Sequence, residues 1–496
     1  MQKTVYKKNK QNTEEKNRMI EDFAEMLKII RNYQGNIAFT WKDENHIVRR
    51  NYEEFYCDVK KMSIYIDQNY NDALNIVLFS KKNYWWFVIF FAIINSGKNI
   101  IPIYAYNQYK EYCNLSNADL VIYDKVHEIK VKTFCTKYNK KMVCTNDFGF
   151  LNYKKQGGIK ECVFDKRIGG NLIIYTTGTN GSKKPVILSQ KNILYAACSL
   201  VDEFKYFKKS RLVSFLPCDH ILDIVVSIYT LLIGSEQFIL KKLNAFQELY
   251  ESNPSVVAMT PIMIKEFFSN NMQIKDLFYP SVVVSGGSDM DAELFESLKK
   301  RGIRVLQGYG CTECPVIAIN DSNEDMKYDE SKVIENTEIK ILNGQILVRS
   351  EGVFAGYWGD VHGCQINHGW LETGDLGRYN PQKNILNILG RIKNFIVLPN
   401  GLNVSPEPIE RRIESHRLIK MAIVYREDNY LSASIYPYVR DLNRKEMEEI
   451  QEFIININEK LEFHERIRKY YIKNENGNIN EMGKKEIVMR YRNEGN

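Results

Sequence analysis

A chain of 496 residues is too long for one ordinary domain and points to roughly two to four. With 44% apolar residues, including 31 Tyr and 24 Phe, it holds ample material for large cores, which excludes a disordered chain. A net charge of +7, from 68 basic and 61 acidic residues, suits a solvated surface, and no basic run is interleaved with aromatics as a nucleic-acid binder requires.

The opening stretch from Met1 to Arg18 is polar and charged, with no apolar signal core, so the expectation is a cytoplasmic rather than an exported protein. Asn75 to Phe79 is a short buried-strand run. Behind it, Tyr84 to Ile94 is apolar throughout. That run is too short to span a bilayer, which takes about 20 residues, so it predicts a buried helix ending near Gly97 and no membrane span. Further strands are expected at 172–175, 186–188, 212–216, 281–284 and 303–306, several of them ending in a glycine-containing turn. Residues 291–300 read as a capped helix stopped by Gly302. Strands alternating with helices predict an α/β architecture, in which ligands bind at the ends of the strands. The last hundred residues differ. Two strands around a turn, 421–425 and 431–436, precede an amphipathic helix over 441–462, which suits a small α+β domain beginning near Lys393.

Ten cysteines are scattered without framework spacing, so reduced thiols are expected. Cys311 and Cys314 form a C-x-x-C pair, but a zinc or redox site would need a second pair or a thioredoxin-like context. Cys218 and His220 are too isolated to be metal ligands.

The sharpest chemical segment is Tyr175-Thr176-Thr177-Gly178-Thr179-Asn180-Gly181-Ser182-Lys183-Lys184-Pro185. A strand feeds a turn rich in hydroxyls and glycines, followed by lysines. Glycines admit backbone N–H groups close to an anion, hydroxyls add donors, and a lysine adds charge. Such a turn can grip a triphosphate, although it is not G-x-x-x-x-G-K-[ST]. The bland reading of the same residues is a flexible surface turn.

This segment resembles the phosphate loop Y-T-S-G-T-T-G-x-P-K-G-V of the AMP-forming adenylating superfamily, which holds acyl-CoA synthetases, carrier-protein-loading adenylation domains and luciferases. Thr176, Gly178, Thr179, Gly181, Lys184 and Val186 match the pattern. Thr177, Asn180, Lys183 and Pro185 depart from it. Pro185 replaces a glycine, and a proline fixes φ and removes a donor.

Six further segments follow in the order of that superfamily. Leu216-Pro217-Cys218-Asp219-His220 is similar to L-P-x-x-H, and Gly286-Gly287-Ser288 to a G-G-A/S turn. Gly308-Tyr309-Gly310-Cys311-Thr312-Glu313 resembles Y-G-x-T-E, and Thr373-Gly374-Asp375 resembles T-G-D. The run from Gly390 to Glu410 resembles G-R-x-K-x-x-I-x-x-x-G-x-x-V-x-P-x-E-I-E, and Gly483-Lys484 resembles the terminal G-K.

The resemblance implies a large N-terminal α/β domain of stacked sheets and helices over 1–392 and a small mobile C-terminal α+β domain over 393–496. It implies ATP and Mg²⁺ as cofactors, with Thr176 and Glu313 on the metal and Lys184, Thr177, Gly178, Thr179, Asn180 and Gly181 on phosphate. Tyr309 would stack on adenine, flanked by Gly308 and Gly310, with Thr312 on phosphate. Asp375 would accept both ribose hydroxyls, and Arg391 would contact ribose or phosphate. His220, Gly287 and Ser288 would border the acyl pocket. Lys393 would be the hinge, Gly401 would ride on a loop that enters the site, and Lys484, or Lys485 if the register slips by one, would reach the α-phosphate.

The implied activity is ATP-dependent conversion of a carboxylic acid to its acyl-adenylate with release of pyrophosphate. The acyl group then passes to a thiol, either CoA or the phosphopantetheine of an acyl or peptidyl carrier protein. An acid without an α-amine is favoured, because Asp219-His220 lies in L-P-x-x-H style rather than in the F-D-x-S style of amino-acid-activating relatives. Asp219 or Asp223 could still pair with an amine. A non-catalytic nucleotide- or acyl-binding relative is the other class left open by Lys183, Pro185 and the altered tail around Lys484.

Overall fold

The computed structural model describes residues 20–43, 46–104, 117–147, 169–177, 183–204, 210–240, 246–269, 282–288, 290–359, 366–392, 395–399, 403–439 and 442–473.

Short runs of β-branched and aromatic residues form the inner strands of two sheets. Asn75–Phe79, Asn99–Ile103, Leu120–Tyr123 and Lys141–Cys144 are parallel. They are apolar almost throughout, as strands covered on both faces must be. Asn171–Thr177 joins Asn99–Ile103 in the same sense, and the chain then returns antiparallel as Lys183–Ser189. The two-residue strand Gly356–Tyr357 pairs with Lys183–Ser189 and completes this sheet, seven-stranded among the described residues.

The other sheet has 14 strands among the described residues. Its parallel part runs Ile37–Asp43, Glu236–Ile239, Arg211–Ser214, Val256–Met259, Val282–Ser285 and Arg304–Cys311. An antiparallel flank follows, beginning with Cys314–Asp321 and including Trp370–Asn380 and Ile385–Arg391.

The apolar run of the sequence is the helix Tyr84–Asn95, capped by Asn83, whose side chain accepts from the Trp86 N–H (2.9 Å). A helix with no polar face belongs in a core. Trp86, Phe87, Phe90 and Phe91 are buried in one cluster with Ile76 and Leu78 of the smaller sheet and Phe39 and Val256 of the larger. Phe23 meets Phe91 edge to face at 5.4 Å, and Phe39 lies 5.0 Å from Phe87. Each such ring contributes about 1.5–3 kcal/mol by burial. No helix of the described residues is long and apolar enough to cross a membrane.

The C-terminal residues have a core of their own, with Ile409, Ile413, Val424, Ile435, Ile450 and Ile454 among its members. Ile419–Glu427 and Tyr430–Pro437 form the expected hairpin, and Ile467–Ile472 adds a parallel third strand. The amphipathic helix spans Arg444–Glu459 and starts at a capping box in which Asn443 and Glu446 bond reciprocally. A short hairpin, Ile396–Val397 with Asn403–Val404, leads into the helix Pro406–Glu414. Pro406 and Pro408 sit in its first turn, where a missing N–H costs no helical bond.

One expectation needs correcting. The strand expected at 303–306 does not stop before the glycines that follow it but runs Arg304–Cys311. Gly308 and Tyr309 are therefore ladder residues, opposite Ile319 and Ala318. Only Thr312 and Glu313 form the turn before Cys314–Asp321 begins. Gly310 is required there by crowding, since a Cβ would come within 2.4 Å of the Pro315 carbonyl oxygen.

Candidate active site

Two hairpins and the ends of several strands meet at the candidate site. In the first hairpin Thr176 stands opposite Lys184 and Tyr175 opposite Pro185. The Thr176 hydroxyl reaches the Lys184 carbonyl only loosely, at 3.5 Å. Pro185 is accommodated within the strand: its carbonyl accepts from the Trp358 N–H at 2.9 Å. The turn residues Gly178, Thr179, Asn180 and Gly181 lie outside the described residues, as do the side chains of Thr177 and Lys183.

The second hairpin presents Thr312 and Glu313 at its tip, between Cys311 and Cys314, which are register partners. Burial pushes the Cys311 thiol well above its ordinary value and the Cys314 thiol up to about 12. Both stay protonated, which disfavours metal ligation or disulfide exchange. The Glu313 Oε1 accepts from the Tyr357 hydroxyl at 2.8 Å, and the Lys184 ammonium lies over the Tyr357 ring, 5.1 Å from its centroid. Tyr357 thus stands between the candidate metal carboxylate and the candidate phosphate lysine. Among the described residues no group of three or more His, Cys, Asp or Glu could hold a metal by itself. Glu313 with the Thr176 hydroxyl offers hard oxygen donors, which fits Mg²⁺: that ion commonly takes one or two carboxylates and completes its shell with substrate phosphates and water.

A third group forms around Asp375, which is 5% exposed. Its Oδ2 accepts from the Tyr309 hydroxyl at 2.8 Å, and its Oδ1 pairs with the Arg391 Nε at 3.0 Å. The Thr373 hydroxyl, itself bonded to the Ile346 carbonyl, receives the Asp375 N–H. Asp375 and Arg391 are register partners on neighbouring strands, while Tyr309 arrives from the second hairpin. Three segments read separately in the sequence are therefore joined by direct bonds. Burial first, and then the Asp375 carboxylate, hold the Tyr309 phenol well above its ordinary value.

The L-P-x-x-H segment and the glycine turn also converge. His220 caps the helix Ile221–Leu232, its Nδ1 accepting from the Leu222 N–H at 3.3 Å. That bond leaves Nε2 to carry the proton. A Cβ on Gly287 would lie 3.6 Å from His220 Nε2, and Gly287 has φ +82°, a conformation that favours glycine. Ser288 is exposed beside it. Burial lowers the His220 pKa against the pull of Asp223 and Asp219, so the ring is neutral at pH 7.

Both aspartates near this pocket have partners within the chain, while Asp223 Oδ2 is buried without one. The Asp219 Oδ2 accepts from the Tyr104 N–H at 2.9 Å. Asp223 is fully buried, and its Oδ1 binds both the Lys82 ammonium and the Ser214 hydroxyl, each at 2.5 Å.

Lys393, Gly401, Lys484 and Lys485 lie outside the described residues. Sequence reading missed Tyr357 and Lys82. Tyr357 sits in Phe354-Ala355-Gly356-Tyr357-Trp358, where a Gly-Tyr pair in an aromatic run was the available signal. Lys82 follows a buried strand with no feature separating it from Lys81.

Comparison with known proteins bears on the family and the fold. A family model described as AMP-binding enzyme matches residues 28–358, and one described as AMP-binding enzyme C-terminal domain matches 393–494. The chain is 26% identical over 422 residues to 4-coumarate–CoA ligase 3 of Oryza sativa subsp. japonica, covering 76% of each. It is 25% identical over 279 residues to indoleacetate–CoA ligase of Aromatoleum aromaticum, covering 52% of this chain and 54% of that protein. It is 34% identical over 145 residues to long-chain-fatty-acid–CoA ligase FadD15 of Mycobacterium bovis, covering 28% of this chain and 24% of that one. The matches thus span about a quarter to a half of two of these relatives. Among solved structures, ATP-bound MatB from Rhodopseudomonas palustris superposes with a TM-score of 0.78 at 17% identity, covering 95% of this chain and 100% of that one. The o-succinylbenzoate coenzyme A synthetase MenE from Bacillus subtilis, in complex with AMP, gives 0.73 at 17% identity, covering 91% and 95%. At that identity the superpositions speak to the fold. The family model spans more than half of the sequence and takes in both hairpins with the His220 pocket, and on that ground the chain belongs to the AMP-binding enzyme family.

Proposed function

We propose that this protein activates a carboxylic acid with ATP and hands the acyl group to a thiol. The observation that carries it is the meeting of Lys184, Glu313 and Tyr357 across two hairpins, beside the Tyr309–Asp375–Arg391 group. A cation, a carboxylate suited to a divalent metal and a carboxylate suited to vicinal hydroxyls are the parts that a metal–nucleotide complex needs.

In the first step a substrate carboxylate oxygen attacks the α-phosphorus. The bond to the bridging oxygen breaks and pyrophosphate leaves. No protein nucleophile is needed, and the side chains act by positioning and charge neutralisation. Lys184 and the 176–184 turn would hold the phosphates, with Thr312 beside them. Asp375 would bind the ribose, exchanging a present partner for its hydroxyls, and Arg391 would stay alongside. Tyr309 would face the base. Glu313 and Thr176 would hold Mg²⁺, which neutralises phosphate charge when bound. Lys484 would stabilise charge on the α-phosphoryl group.

In the second step the small domain, 393–496, turns about Lys393 and withdraws Lys484. A thiol of CoA or of carrier-protein phosphopantetheine then attacks the acyl carbon, and AMP leaves. The internal partners of Asp219 and Asp223 favour an acid without an α-amine, with an amine paired to either carboxylate as the alternative. The test is hydroxylamine trapping across fatty, aryl and amino acids, alongside acid-dependent exchange of pyrophosphate into ATP. At least one acid lacking an α-amine should support both. ATP binding with no exchange from any acid would overturn the adenylation claim.

A further inference from the structure

The strap 350–358 leaves the larger sheet and joins the smaller. Its start is fixed by Asn192, whose side-chain amide donates to the carbonyls of Glu351 and Val353, both at 2.8 Å. Its Phe354 N–H donates to the Glu313 carbonyl at 2.8 Å, gripping the tip of the second hairpin. Its Ala355 and Trp358 N–H groups donate to the carbonyls of Ile187 and Pro185, both at 2.9 Å, gripping the first. Tyr357 stands opposite Val186 in the resulting ladder. The strap is therefore a brace between two hairpins that belong to different sheets, and Tyr357 is its side chain at the crossing.

Both functions of that side chain face charge. The hydroxyl donates to Glu313 Oε1, while Oε2 has no partner among the described residues. The ring face receives the Lys184 ammonium, and Phe354 packs against the ring edge to face at 4.8 Å, limiting its rotation. A phenol in this place stands between a carboxylate and an ammonium, with its hydroxyl on one and its ring face under the other.

On the basis of the nucleotide site proposed above, we propose that Tyr357 is a positioning residue that turns Glu313 toward the metal and holds Lys184 toward phosphate, keeping the two from forming an ion pair. Its hydroxyl serves the metal and its ring serves the phosphate. The two roles are separable by substitution.

The experiment uses the full chain, Mn²⁺ as the metal probe and the non-hydrolysable nucleotide α,β-methylene-ATP. Free Mn²⁺ is read by its paramagnetic resonance signal, and nucleotide affinity without metal is read by calorimetry. Tyr357→Phe keeps the ring and should weaken Mn²⁺ binding in the nucleotide complex by about tenfold, the scale of a lost hydrogen bond to a charged group. Its metal-free nucleotide affinity should match that of the wild type. Tyr357→Leu should lose both, with metal-free nucleotide affinity falling by about two- to fivefold. Equal Mn²⁺ binding by wild type and Tyr357→Phe would overturn the positioning role while leaving the nucleotide site standing. Loss of both affinities in Tyr357→Phe would mean a merely structural part and would overturn it too. Failure of the wild type to bind the nucleotide would overturn the site itself.

Discussion

Asp375 is read from the sequence as an acceptor for two ribose hydroxyls, but in the structure both of its oxygens are taken, by Tyr309 and Arg391. A carboxylate so placed is preorganised, and nucleotide entry becomes an exchange of hydrogen bonds. Tyr309 and Asp375 are each visible as motif residues. Their contact was not, because sequence spacing says nothing of register between strands so far apart in the chain. Asp375→Asn replaces an acceptor by a donor on one side. It should weaken ATP by about 10- to 100-fold while leaving 2′,3′-dideoxy-ATP nearly unchanged, measured by calorimetry. Equal losses for both nucleotides would remove Asp375 from the ribose. His220 carries a pH prediction. Its pKa is lowered by burial, so its contribution to stability is present above about 6.5 and is lost as pH falls through the lower folded value. Urea melts between pH 7 and pH 5 should show a steeper decline for the wild type than for His220→Gln. Parallel declines would mean the ring is not held neutral.

At the scale of elements, the apolar helix and the inner strands were legible because continuous apolar runs bounded by glycine or proline have few other readings. Boundaries were less so. The strand expected at 212–216 is Arg211–Ser214, yet Phe215 still donates to the Ala258 carbonyl, so the ladder bond outlasts the strand. The strand expected at 303–306 extends through the Y-G-x segment, because pairing with Cys314–Asp321 holds its glycines in a ladder. The helix Ile221–Leu232 holds the charge the sequence could not place. Asp223 in its first turn is buried and matched by Lys82 from the loop before the apolar helix. Removing one partner of a buried pair strands the other, so Lys82→Met should cost about 3–5 kcal/mol, read by chemical denaturation. Without the ammonium, the burial that already raises the Asp223 pKa goes further unopposed. A raised carboxylate pKa means the folded state holds the extra proton, so the deficit should shrink as pH falls toward 5. Replacing both residues, as Lys82→Met with Asp223→Leu, should recover most of the loss. A Lys82→Met protein as stable as the wild type would show that the pair bears no charge.

The apolar residues of the described chain divide among a large core shared by both sheets, a further cluster on each sheet and a separate C-terminal core. Separate cores allow two bodies to move with little loss of burial, which is what alternating half-reactions would use. The α+β character of the last hundred residues was legible from two strand-like runs and a helix at 3.6-residue spacing, but the third strand, Ile467–Ile472, was not. Its polar and charged outer residues hide the pattern at a sheet edge. Lys484 is proposed for the first half-reaction alone. Lys484→Ala should cut adenylation by about 10²–10³-fold, the scale of losing one electrostatic stabiliser, and leave thioester formation from supplied acyl-adenylate nearly intact. Equal losses in both steps would end that assignment.

The central claim is that two hairpins from different sheets and the Asp375 strand converge on one nucleotide. A crystal structure of the full chain with α,β-methylene-ATP and Mg²⁺ tests it most directly. The triphosphate should lie along the 176–184 turn within reach of Lys184 and Glu313, with the ribose hydroxyls on Asp375. Electron density for the nucleotide anywhere else, or a ribose with no contact to Asp375, would contradict it.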